Sequence, residues 1–235
     1  LEMVRGKSKW ISKKNLMEYF KNLRKNSILA IWSFRNDLPL KKITKDEFAY
    51  TNLMSDTRAY QYIHSRGYVR YALSKIFNEN PLDIPLSARP NQSPELPLNY
   101  GHISFSHCKD MLIVGWSMAR IGIDIERADR KIESINSFKK LFLDDINLLN
   151  TKIKSKNSIR SQILDLWVLK ESLVKWERSS IFFGIQNWKL FKNYKYAINN
   201  KSGFKVKVQN IDFNDWKIGI ASNHYRNSYL LQICI

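Results

Sequence analysis

The stretch IGIDIE, residues 121–126, places two carboxylates on one side of a predicted strand. Successive side chains of an extended chain point to opposite faces, so the three isoleucines share one face while Gly122, Asp124 and Glu126 share the other. Neighbouring carboxylates repel each other unless a positive charge lies close to them. The stretch therefore predicts a β-strand with a cation near its acidic face, although paired acids at a strand edge can also simply face water.

The pattern before this stretch predicts strands on either side of one long helix. Residues 27–34 are apolar and aromatic and predict the first strand. An N-cap signal at residues 55–56 opens an apolar stripe that runs to Phe77, which predicts a helix of about 20 residues. Three short strands are then predicted at residues 101–107, 111–118 and 120–126.

The pattern after Glu126 is first helical and then strand-like. Residues 134–150 predict one or two short helices, residues 151–159 a loop, and residues 160–177 a further helix. Four more strands are predicted near residues 186–191, 204–208, 216–221 and 229–234.

This order of elements predicts an α+β fold in two halves of similar plan. Residues 27–117 and residues 118–235 each run from a strand through helices to further strands. Residues 1–26 carry a basic amphipathic pattern and predict a helical N-terminal extension. No repeat relates the two halves in sequence.

The charge of the chain is strongly positive but evenly spread. Lys and Arg number 39 against 21 Asp and Glu, a net charge of +18, and the excess is the same in residues 1–120 as in residues 121–235. A solvated basic surface accounts for this charge, and so does an acidic or phosphorylated partner. A basic module that binds nucleic acid is a third interpretation.

Two further features of the composition bear on location. The longest apolar stretch, residues 111–116, is far shorter than the roughly 20 residues of a membrane-spanning helix. The two cysteines, Cys108 and Cys234, form no CxxC spacing and so predict neither a disulfide framework nor a zinc site. We therefore expect a soluble, cytoplasmic protein.

Two other stretches contain residues that could take part in catalysis or binding. In LWVLKESLVKW, residues 166–176, Glu171 and Lys175 lie four apart on one helical face, a spacing that is also typical of a surface salt bridge. In SFSHCKD, residues 104–110, Ser106 and His107 lie where a strand enters a turn. No GxSxG elbow surrounds the serine, which argues against a hydrolase triad, and a single histidine is more often structural than catalytic.

Taken in order, the S-H turn, the G-I-D-I-E strand and the W-x-x-K-E-S-x-x-K helix resemble the 4'-phosphopantetheinyl transferase superfamily in its surfactin-type, single-chain form. The resemblance runs from about residue 27 to the C-terminus. It implies transfer of the phosphopantetheine arm of coenzyme A to a serine of an acidic apo acyl or peptidyl carrier protein, giving the holo carrier protein and 3',5'-ADP. It also implies two pseudo-symmetric halves, an active site in the cleft between them, and a monomer.

The same resemblance implies roles in the chemical step for four residues. Asp124, Glu126 and Glu171 would hold Mg²⁺, a hard cation that prefers oxygen ligands. Glu171 is the first candidate for the base that accepts the serine proton. Lys175 would contact a phosphate of the coenzyme and stabilise the negative charge that develops there.

Residues outside the metal site are implied to bind the coenzyme. Ser106 and His107 would lie at its 3'-phosphate, and Lys170 would have a minor binding role. Arg66 and Arg89 are further candidates among the cations. The Gly-Lys-Pro lysine of many family members has no match in the loop ARPNQSPEL, where Ser93 or Asn91 lies near its place and Arg89 could supply the cation from a shifted position.

Two other classes of protein stay open at this point. A Mg²⁺-dependent phosphohydrolase or nuclease would use the same carboxylates and would hydrolyse its substrate without a carrier protein. A non-catalytic nucleic-acid-binding module would bind in a salt-sensitive way and would lose nothing when Asp124 is removed. The transferase interpretation expects no nucleic acid and no membrane among the partners.

Overall fold

The computed structural model describes residues 3–4, 29–131, 142, 156–180, 184–191, 194–223 and 231–234. The chain forms two compact units, Leu1–Arg120 with His224–Ile235 and Ile121–Asn223. Helices and strands are numbered below in chain order. No helix within the described ranges is long and apolar enough to cross a membrane.

Five described strands form the sheet of the first unit. They are β1 (Met3–Val4), β2 (Ala30–Arg35), β3 (His102–Cys108), β4 (Met111–Ser117) and β10 (Leu231–Cys234). Their order across the sheet is β1-β10-β2-β4-β3. Neighbouring strands are antiparallel except β10 and β2, which are parallel.

Two helices of the first unit, α1 (Lys45–Thr51) and α2 (Asp56–Phe77), lie between β2 and β3. Thr44 and Glu47 begin α1 with a capping box, in which each side chain accepts a hydrogen bond from the backbone N–H of the other residue. Helix α2 ends at Asn78 in a left-handed conformation. One core joins α2 to the sheet and includes Trp32, Phe34, Tyr68, Leu73 and Trp116.

A buried ion pair ties the two helices of this unit together. The Arg70 Nε atom of α2 lies 2.8 Å from a carboxylate oxygen of Glu47 in α1, and both side chains are buried. The same guanidinium donates to the backbone oxygen of Ile84 at 2.8 Å. Because a buried charge is tolerated only when it is paired and hydrogen-bonded, this pair fixes α1 and the segment around Ile84 against α2.

The second unit has a sheet of five described strands and one long helix. The strands are β5 (Ile121–Arg127), β6 (Trp188–Phe191), β7 (Tyr196–Asn199), β8 (Lys205–Phe213) and β9 (Trp216–Ser222). They run in the order β5-β9-β8-β7-β6, with each strand antiparallel to its neighbours. Helix α3 (Lys156–Glu177) packs on the sheet through a core that includes Leu166, Leu169, Leu173, Trp188 and Val206.

Two glycines allow α3 to lie directly on the strands. A Cβ atom at Gly122 of β5 would lie 1.9 Å from the backbone oxygen of Ser172, and one at Gly219 of β9 would lie 2.1 Å from that of Val168. Real Cβ atoms do not approach a backbone oxygen so closely, so any larger residue would push the helix away. The close packing sets the height of α3 above the acidic face of β5.

The α+β fold predicted from the sequence is confirmed by these two sheets and their helices. The strands predicted before residue 127 and the helix that ends at Phe77 are present within a few residues of their predicted bounds. Helix α3 begins at Lys156, so the last part of the loop predicted over residues 151–159 is helical. Helix α1 and strand β7 lie outside the predicted elements.

The C-terminal strand corrects the predicted division of the chain. The sequence prediction gives residues 118–235 to the second half, whereas β10 pairs with β1 and β2 in the first unit. Strand partners are chosen across the fold, so the end of a chain can complete the sheet with which the chain begins. The boundary between the units falls after Arg120.

Two predicted helical regions lie outside the described residues almost entirely. Of the N-terminal extension, residues 1–26, only Met3–Val4 are described, and they form a strand rather than a helix. Of residues 134–150, only Phe142 is described, in a turn.

Candidate functional site

The acidic face of β5 lies under helix α3, and its two acids share one face, as the alternation of IGIDIE predicts. Gly122 contacts the backbone of α3, and the pairing with β9 sets Asp124 across from Gly219 and Glu126 across from Lys217. Directly opposed residues of antiparallel strands share a face, so this face presents both carboxylates toward the helix.

Lys175 reaches from α3 to the first of these carboxylates. Its Nζ atom donates to Oδ1 of Asp124 at 2.6 Å, and the Asp124 residue is only 2% exposed. The spacing of Glu171 and Lys175 is typical of a surface pair within one helix, but here the lysine pairs with a buried acid on a strand. Removal of either partner would leave a charge in an interior that solvates it poorly.

Glu171 lies near both acids of β5. Burial and the negative charges of Asp124 and Glu126 raise the pKa of Glu171 from 4.5 to about 8, although the positive charges of Lys175 and Arg130 act in the opposite direction. At neutral pH the Glu171 carboxyl group is therefore mostly protonated in the chain without ligands. The charges of Asp124 and Glu126 thus act on Glu171, and these three carboxyl groups are called the carboxyl cluster below.

Arg130 is a member of this site that the sequence prediction does not include. Its Nη1 atom donates to Oε1 of Glu126, and its guanidinium lies over the ring of Trp167 in α3, 5.5 Å from the ring centroid. The sequence signal is a basic residue four positions after Glu126. Such a spacing identifies a neighbour in a helix, but Arg130 follows a strand, so its contact depends on the turn that ends β5.

The carboxyl cluster has the donor chemistry of a Mg²⁺ site. All three acids offer oxygen ligands from one side of β5 and from α3, and the raised pKa of Glu171 reflects their unfavourable proximity. As the side chains stand, however, no three His, Cys, Asp or Glu residues in the described part of the chain are placed to hold a metal ion. Lys175 and Arg130 occupy two of the carboxylates instead.

A cavity in the first unit has a basic and polar lining. It has a volume of about 410 Å³ and lies between the first turns of α2, the loop at Pro90 and Asn91, and the end of β3. Arg58, Arg66 and His107 line it, and no Asp or Glu is among the described residues that do so. A cavity of this volume and charge suits a small anionic ligand.

The two arginines that line the cavity, Arg58 and Arg66, differ in their contacts and in their exposure. The guanidinium of Arg66 donates to the backbone oxygen of Ala88 at 2.9 Å and 3.1 Å, and lies over the rings of Tyr62 at 4.0 Å and Phe105 at 5.0 Å. Burial lowers the pKa of Arg66, while the nearby Tyr62 and Glu47 act in the opposite direction. Arg58 is exposed, and its Nη2 atom donates to Oδ1 of Asn91 at 3.0 Å. Arg66 is therefore part of the cavity wall, while Arg58 is a cation held at its mouth.

Comparison with known proteins gives a match that covers all of the second unit. Residues 120–234 match the model of the 4'-phosphopantetheinyl transferase superfamily. The match spans just under half of the chain and includes β5 and α3, which carry all four residues of the predicted chemical step. It supports a transferase. No curated protein matches the chain.

The match leaves the surfactin-type form a prediction, because it does not distinguish the branches of the superfamily. It also does not cover the cavity, which is built from residues 54–107. Support for the coenzyme-binding roles predicted in the first unit must therefore come from the position of each side chain and not from the family match.

Three of the predicted coenzyme-binding residues do not line the cavity: Ser106, Arg89 and Lys170. Lys170 is 3% exposed and donates to the backbone oxygen of Trp188, so its ammonium points into the interior and the predicted minor binding role does not fit. Arg89 is exposed and is not among the described residues that line the cavity. Ser106 is buried, and its strand neighbour His107 points to the opposite side, so only the histidine lines the cavity.

Proposed function

We propose that this chain transfers 4'-phosphopantetheine from coenzyme A to a serine of an apo acyl or peptidyl carrier protein. The proposal depends chiefly on one observation: Asp124, Glu171 and Lys175 are gathered in the stretch that matches the superfamily model. The serine hydroxyl oxygen bonds to the phosphorus that carries pantetheine. The bond from that phosphorus to the bridging pyrophosphate oxygen breaks, and 3',5'-ADP leaves with the electron pair.

Glu171 is the proposed acceptor of the serine proton. Glu171 can accept a proton only in its ionised form, and the positive charge of Mg²⁺ among the three acids would lower its raised pKa and so favour that form at neutral pH. The proton leaves the serine as the new oxygen–phosphorus bond forms.

Lys175 is the proposed stabiliser of the charge on the phosphates. Its side chain is 27% exposed, so Lys175 is partly accessible to solvent while its ammonium group is hydrogen-bonded to Asp124. Asp124 thereby fixes the direction in which the ammonium points. A positive charge held in place before the reaction stabilises the departing phosphate without further reorganisation.

Asp124, Glu126 and Glu171 are the residues that would hold Mg²⁺. The ion would supply positive charge to the pyrophosphate and would offset the repulsion among the three acids. The chain's own contribution is to bring the acids onto one face through the close packing of α3 on Gly122.

The cavity of the first unit is the proposed site for the phosphorylated nucleoside end of coenzyme A. Arg58 would bind a phosphate, His107 would donate a hydrogen bond, and Arg66 would keep the wall in place. The lining suits a ligand with several negative charges, since the described residues add no carboxylate to it. The protein is proposed to act as a monomer in the cytoplasm.

The test is an incubation of the protein with coenzyme A, Mg²⁺ and a set of apo carrier proteins, followed by intact-mass measurement. The proposal expects one carrier serine to gain the mass of phosphopantetheine, with release of 3',5'-ADP and no reaction in EDTA. If coenzyme A binds but no carrier gains that mass with any divalent cation, the transferase proposal is wrong. Hydrolysis of a phosphate ester without any carrier would instead favour the phosphohydrolase alternative.

A further inference from the structure

The carboxyl cluster of the second unit carries its own positive charges. Lys175 pairs with Asp124, and Arg130 pairs with Glu126. Lys217 lies directly across from Glu126 in the sheet but donates to Asp165 at 2.7 Å and to Asp212 at 2.9 Å. Among the described contacts, Glu126 accepts a hydrogen bond from Arg130, which lies in the turn after β5.

Arg130 is held in position by two backbone hydrogen bonds and one side-chain contact. Its N–H donates to the Arg127 oxygen at 3.0 Å, and its own carbonyl oxygen accepts from Nε of Arg160 in α3 at 3.0 Å. Its guanidinium also lies over Trp167. The turn is thus fastened to the helix that carries Glu171.

The side chain of Arg130 can leave Glu126 without being lost from the site. It is 39% exposed, and the Trp167 ring offers a cation–π contact that does not depend on Glu126. The guanidinium donates to one oxygen of Glu126, so the other oxygen could still bind a metal ion, but two cations at one carboxylate repel each other. Binding of a metal ion by Glu126 should therefore weaken this pair, and the pair should in turn weaken binding of the metal ion.

We infer that Arg130 is a positioning residue that holds Glu126 in the metal-free chain and competes with a divalent cation for it. The inference depends on the proposed function in one respect, namely that Glu126 is a metal ligand. Arg130 limits the affinity for the metal and prevents the acids from repelling one another before the metal arrives. Loss of its charge should tighten metal binding about fivefold, which is the order expected for a partly exposed ion pair.

Arg127, the last residue of β5, offers a matched control next to this turn. Its Nε donates to Asp129 at 2.8 Å, and its guanidinium lies 5.5 Å from the ring centroid of Trp216. It therefore has the same kinds of contact as Arg130, but with a carboxylate outside the cluster. Replacement of Arg127 removes equal charge from the same region without freeing Glu126.

The test is calorimetric titration of the full chain with Mn²⁺, together with thermal unfolding in EDTA and in Mn²⁺. Arg130→Gln should bind Mn²⁺ about fivefold more tightly than the wild type, unfold at a lower temperature in EDTA, and gain more from Mn²⁺. The Mn²⁺ affinity of Arg130→Lys should lie between those of the wild type and Arg130→Gln, and the affinity of Arg127→Gln should match that of the wild type. The gain should disappear when Glu126→Gln is added to Arg130→Gln.

The outcomes separate this inference from the proposed function. Wild-type affinity in a folded Arg130→Gln protein, or weaker binding, would overturn the role of Arg130 and leave the proposed metal site intact. If the wild type and all variants fail to bind Mn²⁺, both with and without coenzyme A, then the proposed metal site is wrong and the inference fails with it.

Discussion

Lys175 donates to Asp124 at 2.6 Å across 51 positions of sequence, so a helix and a strand share one buried charge pair. Each residue explains the other. The lysine places a positive charge beside a carboxylate that is buried under α3. The pair fixes the geometry on which the proposed chemistry depends.

Lys175→Ala should lower both the affinity for coenzyme A and the rate of transfer, because it removes the proposed phosphate contact and leaves Asp124 with a buried charge. The free energy of unfolding should also fall, by about 2 kcal/mol. Steady-state kinetics, coenzyme titration and urea unfolding measure the three effects. Lys42→Ala, at an exposed position, is the control and should change none of them. Unchanged kinetics for Lys175→Ala would reduce Lys175 to a structural ion pair.

Glu171→Gln should change the pH dependence of stability. The folded chain raises the pKa of Glu171 to about 8 and so binds its proton more tightly than the unfolded chain does. The stability from this proton is fully present below about pH 4.5 and is lost as the pH rises toward 8. In EDTA, the variant should therefore match the wild type near pH 4 and be more stable near pH 8.5.

Thermal or urea unfolding at a series of pH values tests this expectation, and Glu95→Gln, at an exposed position, is the control. A difference between Glu171→Gln and the wild type that is constant across pH would mean that Glu171 ionises normally. The same variant should lose transfer activity, because an amide cannot accept the serine proton.

The sequence predicts the strand that carries the acids and the helix that carries Glu171, because both depend on local periodicity. Alternation in IGIDIE assigns Asp124 and Glu126 to one face, and this holds in the structure. The Thr44–Glu47 capping box is also a local signal and would have predicted α1.

Other features depend on contacts that sequence spacing does not record. Strand β10 joins the first unit because its partner is β2, some 200 residues earlier. Lys170 belongs to the motif by its position, yet its ammonium points to Trp188 because a helix neighbour of Glu171 faces another direction. Arg130 reaches Glu126 only because a turn follows β5.

Arg58→Gln should weaken coenzyme A binding about tenfold without a change in stability, because Arg58 is exposed and held by one side chain. Arg66→Gln should lower stability, since it removes a guanidinium that is bonded to Ala88 and packed against two rings. Arg89→Gln is the control for charge and should bind coenzyme A like the wild type. Equal loss of binding in Arg58→Gln and Arg89→Gln would mean that only general surface charge matters.

Gly122→Ala should reduce the free energy of unfolding by about 3 kcal/mol, because its Cβ atom would lie 1.9 Å from the Ser172 oxygen and would push α3 off β5. Urea unfolding measures the change. Gly203→Asn is the control, since that position has open space and a positive φ that asparagine tolerates. Wild-type stability for Gly122→Ala would mean that the close contact of helix and strand is not required.

The central claim is that Asp124 anchors the chemistry of a phosphopantetheinyl transferase, and it is tested most directly by the rate at which an apo carrier protein gains the mass of phosphopantetheine. Wild-type protein should modify the carrier in Mg²⁺. Asp124→Ala should abolish the reaction more completely than Glu126→Ala, because Asp124 is buried and also directs Lys175. Transfer by a folded Asp124→Ala protein at nearly the wild-type rate would contradict the account.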